Sequence, residues 1–449
     1  MKIQTISTLI VLLSLGWISG CDGFLDEKPN KSISVPESIE DLQALMDNVN
    51  IFNYNTILDI VAADEYYITE AGFTSFTSTQ IQRTHLREFD TMFEGIEIAT
   101  EWQRFYQQVF YANICLETAG TITPKNPGER DALNNVIGSA RFLRAYSMFN
   151  LIKNYGQQYL AETAGGILAI PLPKKPDVNH FSEFETLQNG YQFIIDDLRA
   201  SLNSLPENPK YKSRPSKKAA YAMMARVYLS MNDFDRALEN ADLALSSGIE
   251  ILDFNKITSS ATYKIPMANP EVIFHSNALQ FNFGTNQQTR IDTLLYDTYS
   301  ENDLRKDIYF IRRNHGGFNF RGSYSGSFHL FGGLTDGELL LIRAESNARK
   351  GNFDSAKEDL FYLLKNRYKE GAIDHGDLIP DSEILDIVMA ERKKELVFRG
   401  LRWSDLKRFA AMDASQVNLI RILGNQHFEF NPTPDNFTFP IPQEEIRLR

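Results

Sequence analysis

One internal echo constrains this chain more than any other feature. Residues 219–247 read AAYAMMARVYLSMNDFDRALENADLALSS, and residues 338–366 read ELLLIRAESNARKGNFDSAKEDLFYLLKN. At one fixed offset Ala225 matches Ala344, Phe234 matches Phe353, Asp235 matches Asp354, Ala237 matches Ala356 and Leu245 matches Leu364. Each stretch places apolar residues at helical spacing on both sides of a tight turn. Small Ala residues let the two helices approach closely, and the Phe after the turn fills the junction. Such a hairpin buries its apolar face only against neighbours, so the chain must stack several helices.

This is the tetratricopeptide pattern, and it predicts a mainly α fold. Helical periodicity also covers 96–118 and 129–153. Ser38-x-x-Asp41 caps an earlier helix ahead of Leu42, Leu45, Met46 and Val49. The periodicity fails at about 53–95 and again at about 249–335. There Asn, Thr, Ser and Gly mix with aromatic residues, which reads as irregular loops and short strands inserted in a helical scaffold. Residues 156–182 form a Gly/Pro-rich connection.

The start of the chain is an address rather than a fold. Lys2 precedes an apolar run, Ile6–Ile18. That run falls short of the roughly 20 residues a spanning helix needs, and it reads as a secretory signal. Ile18-Ser19-Gly20-Cys21 ends it like a bacterial lipobox. Residues 1–20 are thus expected to be removed and Cys21 lipidated. Residues 21–37, with Pro29 and Pro36, read as a tether, and 38–449 as a single domain. The lipid would anchor the protein to a membrane that no later segment is long enough to cross. The other cysteine is Cys115, so a disulfide framework and a Cys-rich metal site are excluded.

Charge and motif searches narrow the function. The chain has 46 Lys+Arg against 58 Asp+Glu, a net charge of −12, with no basic run. This argues against nucleic acid, which needs a cationic footprint. There is no His-Glu-x-x-His, no phosphate-binding loop and no dinucleotide-binding glycine motif. Gly322-Ser-Tyr-Ser-Gly326 puts Tyr324 where a hydrolase nucleophile would sit. The seven His are scattered. No catalytic residue, metal or cofactor is therefore expected.

Several motifs then point to one family. The run from Glu391 to Arg408, ERKKELVFRGLRWSDLKR, closely resembles the signature of the SusD/RagB nutrient-uptake lipoproteins. So do Cys21-Asp-Gly-Phe-Leu-Asp-Glu-Lys-Pro29, Trp102…Tyr106…Asn113…Glu117 and Ala140-Arg-Phe-Leu-Arg-Ala-Tyr146. Asp303-Leu-Arg305 and Phe439-Pro-Ile-Pro-Gln443 complete the set, in order along almost the whole chain. The family commonly continues into an Asn/Pro/Gly-rich tail, whereas this sequence stops at Arg449. The resemblance implies a SusD-like domain with four helical hairpins and ligand-bearing insertions. It implies a non-catalytic lipoprotein on the outer membrane, facing the cell exterior. Such a protein acts as a lid on a TonB-dependent transporter, a SusC-like barrel. It captures an oligosaccharide, or in some branches a peptide, for import. A surface glycoside hydrolase and a periplasmic scaffold are the alternatives.

Within the signature, Glu391, Arg392 and Glu395 share a helix at spacings that would let them pair with one another. Gly400 breaks that helix. Trp403, Trp102, Phe105 and Tyr106 are expected in the core. A sugar site needs exposed aromatic faces beside carboxylate, amide or guanidinium groups. Two irregular segments supply both. The first holds Asp64, Tyr66, Tyr67, Phe73, Phe76 and Arg83. The second holds Phe281 and Phe283, then Phe318, Phe320 and Tyr324 in the Gly-rich stretch 315–331. Tyr67, Phe73, Phe76 and Phe283 are expected to be exposed. Neither segment contains Trp, which keeps a peptide ligand open.

Overall fold

Capping side chains set where the scaffold helices begin. Ser38 and Asp41 each accept from the other's backbone N–H, a complete capping box that opens α1 (Ile39–Met46). After α2 (Thr100–Ala119), Asn126 caps α3 (Pro127–Tyr155), with Pro127 in its first turn. Thr186 caps α4 (Leu187–Leu202), Ser216 caps α5 (Lys217–Ser230) and Asp233 caps α6 (Phe234–Leu245). Thr335 caps α7 (Asp336–Arg349), which is followed by α8 (Phe353–Leu364), α9 (Ile384–Glu395) and α10 (Arg402–Met412).

In the computed structural model these helices pack in series, each against the next from α2 to α8, with α9 against α7. The structure describes residues 36–177, 179, 181–314, 316–373 and 379–447; the signal, the tether up to residue 35 and Cys21 lie outside them. Ser38–Arg449 holds together as one unit. Among the described residues no helix is long and apolar enough to cross a membrane.

The repeated hairpins, α5–α6 and α7–α8, are built as the sequence predicts. Ala225, Ala344, Ala237 and Ala356 are fully buried at the contacts. The turns match to the residue. Asn232 and Gly351 occupy equivalent positions, and both are left-handed, with φ 58° and 81°. Glycine adopts that backbone freely, and asparagine is among the few side chains that tolerate it.

The insertions are more ordered than their composition suggests. In the first, short helices form at Leu58–Ala62, Glu70–Thr74 and Thr79–Leu86. Thr69 and Ser78 cap the last two, so side-chain capping succeeds where apolar periodicity is too short to see. The second insertion holds short strands, including β2 (Thr289–Ile291), β3 (Phe310–Arg312) and β4 (Phe318–Phe320). The two insertions are one module. β1 (Tyr66–Ile68) in the first pairs antiparallel with β2 in the second, with Tyr67 opposite Arg290. Tyr54–Asn55 likewise pairs parallel with Asn277–Ala278.

The signature region clamps this module to the helices. Glu391, Arg392 and Glu395 do not pair with one another, contrary to their helical spacing. Arg305 bonds Asp303 at 2.8 Å, Glu391 at 2.7 Å and Glu395 at 3.2 Å. Arg367 bonds Glu271 at 2.9 Å and Glu395 at 2.8 Å. Arg392 instead reaches Asp405 on α10. Glu271, Asp303 and Arg305 belong to the second insertion, so buried ion pairs tie it to α9. Gly400 (φ 71°) ends that segment, and Trp403 is fully buried, its indole N–H donating to the Phe437 carbonyl. Trp102 and Phe105 are also core, whereas Tyr106 is half-buried.

Candidate functional site

Strand pleating sorts the aromatic residues of the joined insertions into two sets. Successive residues of β1 point to opposite faces, so Tyr66 and Ile68 are buried and Tyr67 between them is half-exposed. Tyr66 is 1% exposed; its ring meets Phe283 edge-on at 4.7 Å, and Phe283 in turn stacks near Phe76. Phe398 of the signature joins Phe283 and Phe320. Tyr324 is fully buried, its hydroxyl donating to Glu271 and its ring under the Arg399 guanidinium at 4.1 Å. The expected exposure of Phe76 and Phe283 is therefore corrected, and Tyr66 and Tyr324 join them in the core. A module with few helices still needs an apolar centre, and these rings supply it.

Polar candidates are also partly structural. Asp64 accepts two bonds from Arg402, at 2.7 and 2.9 Å, and one from Lys393 at 2.9 Å. Burial works against its charge, but these two cations hold the Asp64 carboxyl well below the usual carboxylate range. Neighbouring Glu65 has no cation in contact among the described residues. Burial, then the Asp64 charge, pushes its carboxyl up to about 8. Arg83 donates to the backbone carbonyls of Thr91 and Glu94, both at 2.6 Å, and so ties down a loop. Tyr66 gives its single hydroxyl proton to the Val61 carbonyl, at 2.8 Å. The His85 Nδ1 contact at 2.8 Å must then be a donation from His85, which leaves Nε2 as a bare acceptor without a partner.

What stays reachable surrounds two clefts. One, of about 250 Å³, is floored by Phe283, Phe320 and Phe398 and rimmed by Tyr263, Phe328, Asn286, Gln287 and Arg313. Phe328 is 43% exposed there. Thr289 also lines it; that residue is 8% exposed and its hydroxyl has no partner. The other, of about 650 Å³, is lined by Asp64, Tyr66, Tyr67, His85, Lys393 and the exposed apolar side chains of Leu294, Ile420 and Ile422. Between the strands, Gly317 (φ 73°) lies where a Cβ would come within 2.8 Å of the Tyr67 hydroxyl and 2.7 Å of Arg290. Phe318 is half-buried and stacks face to face on Tyr296 at 3.9 Å. Phe73 and Phe281 are half-buried against the core and line neither cleft.

Aromatic faces beside amides and a guanidinium form a surface that can hold a polar ring-shaped ligand. Among the described residues no group of three His, Cys, Asp or Glu is placed to hold a metal. Of the residues singled out from the sequence, Asp64, Tyr66 and Tyr67 line the larger cleft and Phe283 and Phe320 the smaller one. Sequence reasoning did not single out Tyr263, Asn286, Arg313 and Phe328 of the smaller cleft or Leu294 and Ile420 of the larger one, which meet only through the tertiary fold.

Two family models match the chain. One, described as starch-binding associating with the outer membrane, covers residues 23–229, and one described as the SusD family covers 337–449. The chain belongs to the SusD/RagB family. Relatives agree along its length. SusD-like protein P2 of Formosa agariphila is 22% identical over 99% of this chain and 97% of its own. SusD-like protein P38 of the same organism is 21% identical over 60% of this chain and 50% of its own. Among solved structures, a putative sugar binding protein from Bacteroides vulgatus superposes with TM-score 0.74 at 18% identity, covering 92% of this chain and 97% of that one. A SusD superfamily protein from Bacteroides thetaiotaomicron gives TM-score 0.73 at 18% identity, over 91% and 98%. The SusD/RagB fold of this chain is a helical scaffold that carries a strand-paired insertion module.

Proposed function

We propose that the protein captures an oligosaccharide at this module without altering it. It is held to the outer membrane through Cys21, faces the cell exterior, and hands its ligand to a TonB-dependent transporter. The observation that carries the binding role is the smaller cleft. It sets exposed Phe328 and half-buried Tyr263 beside Asn286, Gln287 and Arg313 on a floor of three Phe rings. Aromatic faces suit the C–H side of a sugar ring, and the amides and guanidinium suit its hydroxyls. Family membership and the lipobox support the anchor and the transporter partner.

Calorimetry with a panel of oligosaccharides, with the recovered ligand checked for cleavage, tests the reading. An open cleft of this kind should bind at micromolar to millimolar strength, about −8 to −4 kcal/mol. Phe328→Ala with Tyr263→Ala should abolish the heat while leaving the melting curve in place. Cleavage of any sugar, or unchanged binding by the double variant, overturns this site. The anchor is tested by mass analysis of the mature N-terminus, where an unmodified Cys21 overturns it. Co-purification of a barrel transporter from native membranes tests the partner.

A further inference from the structure

The segments that line most of the smaller cleft have an unusual charge. The chain carries 58 Asp+Glu in 449 residues, yet segments 254–270, 272–291 and 308–335 contain none. Their bases are Lys256, Lys264, Arg290, Arg312, Arg313 and Arg321. Lys256 reaches Asp253 at 3.3 Å. The other five have no carboxylate within 4 Å among the described residues, and their hydrogen bonds go to neutral groups. Arg313 donates to the Asn319 amide oxygen at 2.6 Å, Arg290 to Gln288 at 3.0 Å, and Arg321 to the Asp307 backbone carbonyl at 2.9 Å. Lys264 donates to that same carbonyl at 3.4 Å. The Nε atoms of Arg290 and Arg321 are buried without any partner. Burial, and beyond it Arg313, holds the Arg321 guanidinium below its usual range, while the Asp307 charge pulls the other way.

Three neighbouring strands carry or border these arginines. Arg290 lies on β2, Arg312 on β3, Arg313 just after it, and Arg321 just after β4. β3 and β4 are paired, and the Asn319 amide of β4 donates to the backbone of Gln287 and Thr289. Arg313 and Thr289 line the cleft itself. In a chain of net charge −12, guanidinium groups left without counter-ions around one cleft focus its potential on an anion. Planar guanidinium forks match carboxylate and sulfate groups in particular.

We propose that the ligand of this cleft is an acidic oligosaccharide, bearing carboxylate or sulfate groups, with Arg313 in the lining as its direct counter-ion and Arg290, Arg312 and Arg321 nearby adding to the positive potential. This rests on the glycan-capture reading and narrows its substrate class. Matched probes test it by calorimetry on the purified protein: oligogalacturonate against its methyl ester at equal length, and dextran sulfate oligomers against dextran. The acidic member of a pair should bind roughly tenfold or more tightly at low salt. That preference should shrink as salt screens the charges. Arg290→Gln and Arg313→Gln should each cut the preference several-fold. Arg313 also supports Asn319, so the exposed Arg312→Gln is the control whose fold is not at risk, and it too should reduce the preference. Equal or tighter binding of the neutral members overturns the acidic class and leaves glycan capture standing. Binding of oligoglutamate with no binding of any oligosaccharide overturns both.

Discussion

Arginine is used in opposite ways in two regions of this molecule. At the signature and along the scaffold it is neutralised inside the protein. Arg305 and Arg367 are fully buried among four carboxylates, Arg408 grips Glu345 at 2.6 and 2.7 Å, and Arg226 grips Glu338 at 2.6 Å. In the insertion module, Arg290, Arg312, Arg313 and Arg321 have no carboxylate partner among the described residues. The first arrangement locks elements together, because each ion is costly to leave alone in a dry interior. The second leaves charge at a cleft, where water or a ligand can satisfy it. The same side chain thus serves cohesion in one region and recognition in the other, and the placement of acids decides which.

The comparison breaks most visibly at Glu395. Its carboxylate serves both Arg305 and Arg367, and none of the three side chains is exposed. Glu395→Ala should cost about 3–5 kcal/mol, because it leaves buried cations under-compensated. Urea unfolding measures this, and a loss no larger than that of Arg312→Gln would erase the distinction between the regions.

A second variant sharpens the division within the module. Phe283 is 1% exposed and touches Tyr66, Phe76 and Phe398. Phe283→Ala should cost about 3 kcal/mol, through lost burial and the cavity left behind. Tyr67→Ala, on the outward face of β1, should stay within about 0.5 kcal/mol of the parent. Equal melting temperatures for the two would mean that the pleat does not sort these rings.

The smallest effect is a pH slope at the junction of the regions. Glu65 accepts from the Phe398 N–H, and burial first and Asp64 second raise its carboxyl to about 8 from an ordinary 4.5. The folded protein therefore keeps a proton that the unfolded chain has lost. The stability from this group is full below about 4.5 and disappears as pH rises through about 8. Glu65→Gln should flatten that decline in melting temperature between pH 5 and pH 9. An unchanged slope would show that Glu65 is already ionised.

The sequence alone determined the helical scaffold. Apolar spacing, small residues at the hairpin contacts, and caps such as Ser38 and Asn126 act within a few residues, so they can be read locally. Even the turn equivalence of Asn232 and Gly351 was present in the repeat. Trp403 and Trp102 fall in the core as expected. What only the tertiary structure decided is the face each aromatic or charged group presents. Tyr66 and Tyr67 are adjacent and chemically alike. One is core and the other reachable because β1 pairs with β2, which lies more than two hundred residues away in the chain. Glu395 had Arg392 in helical reach, yet it bonds Arg305 and Arg367, and Glu391 adds Arg305 to its own helical partner Lys394. Pleat direction, strand register and burial are set by long-range contacts, and a local pattern carries no record of them.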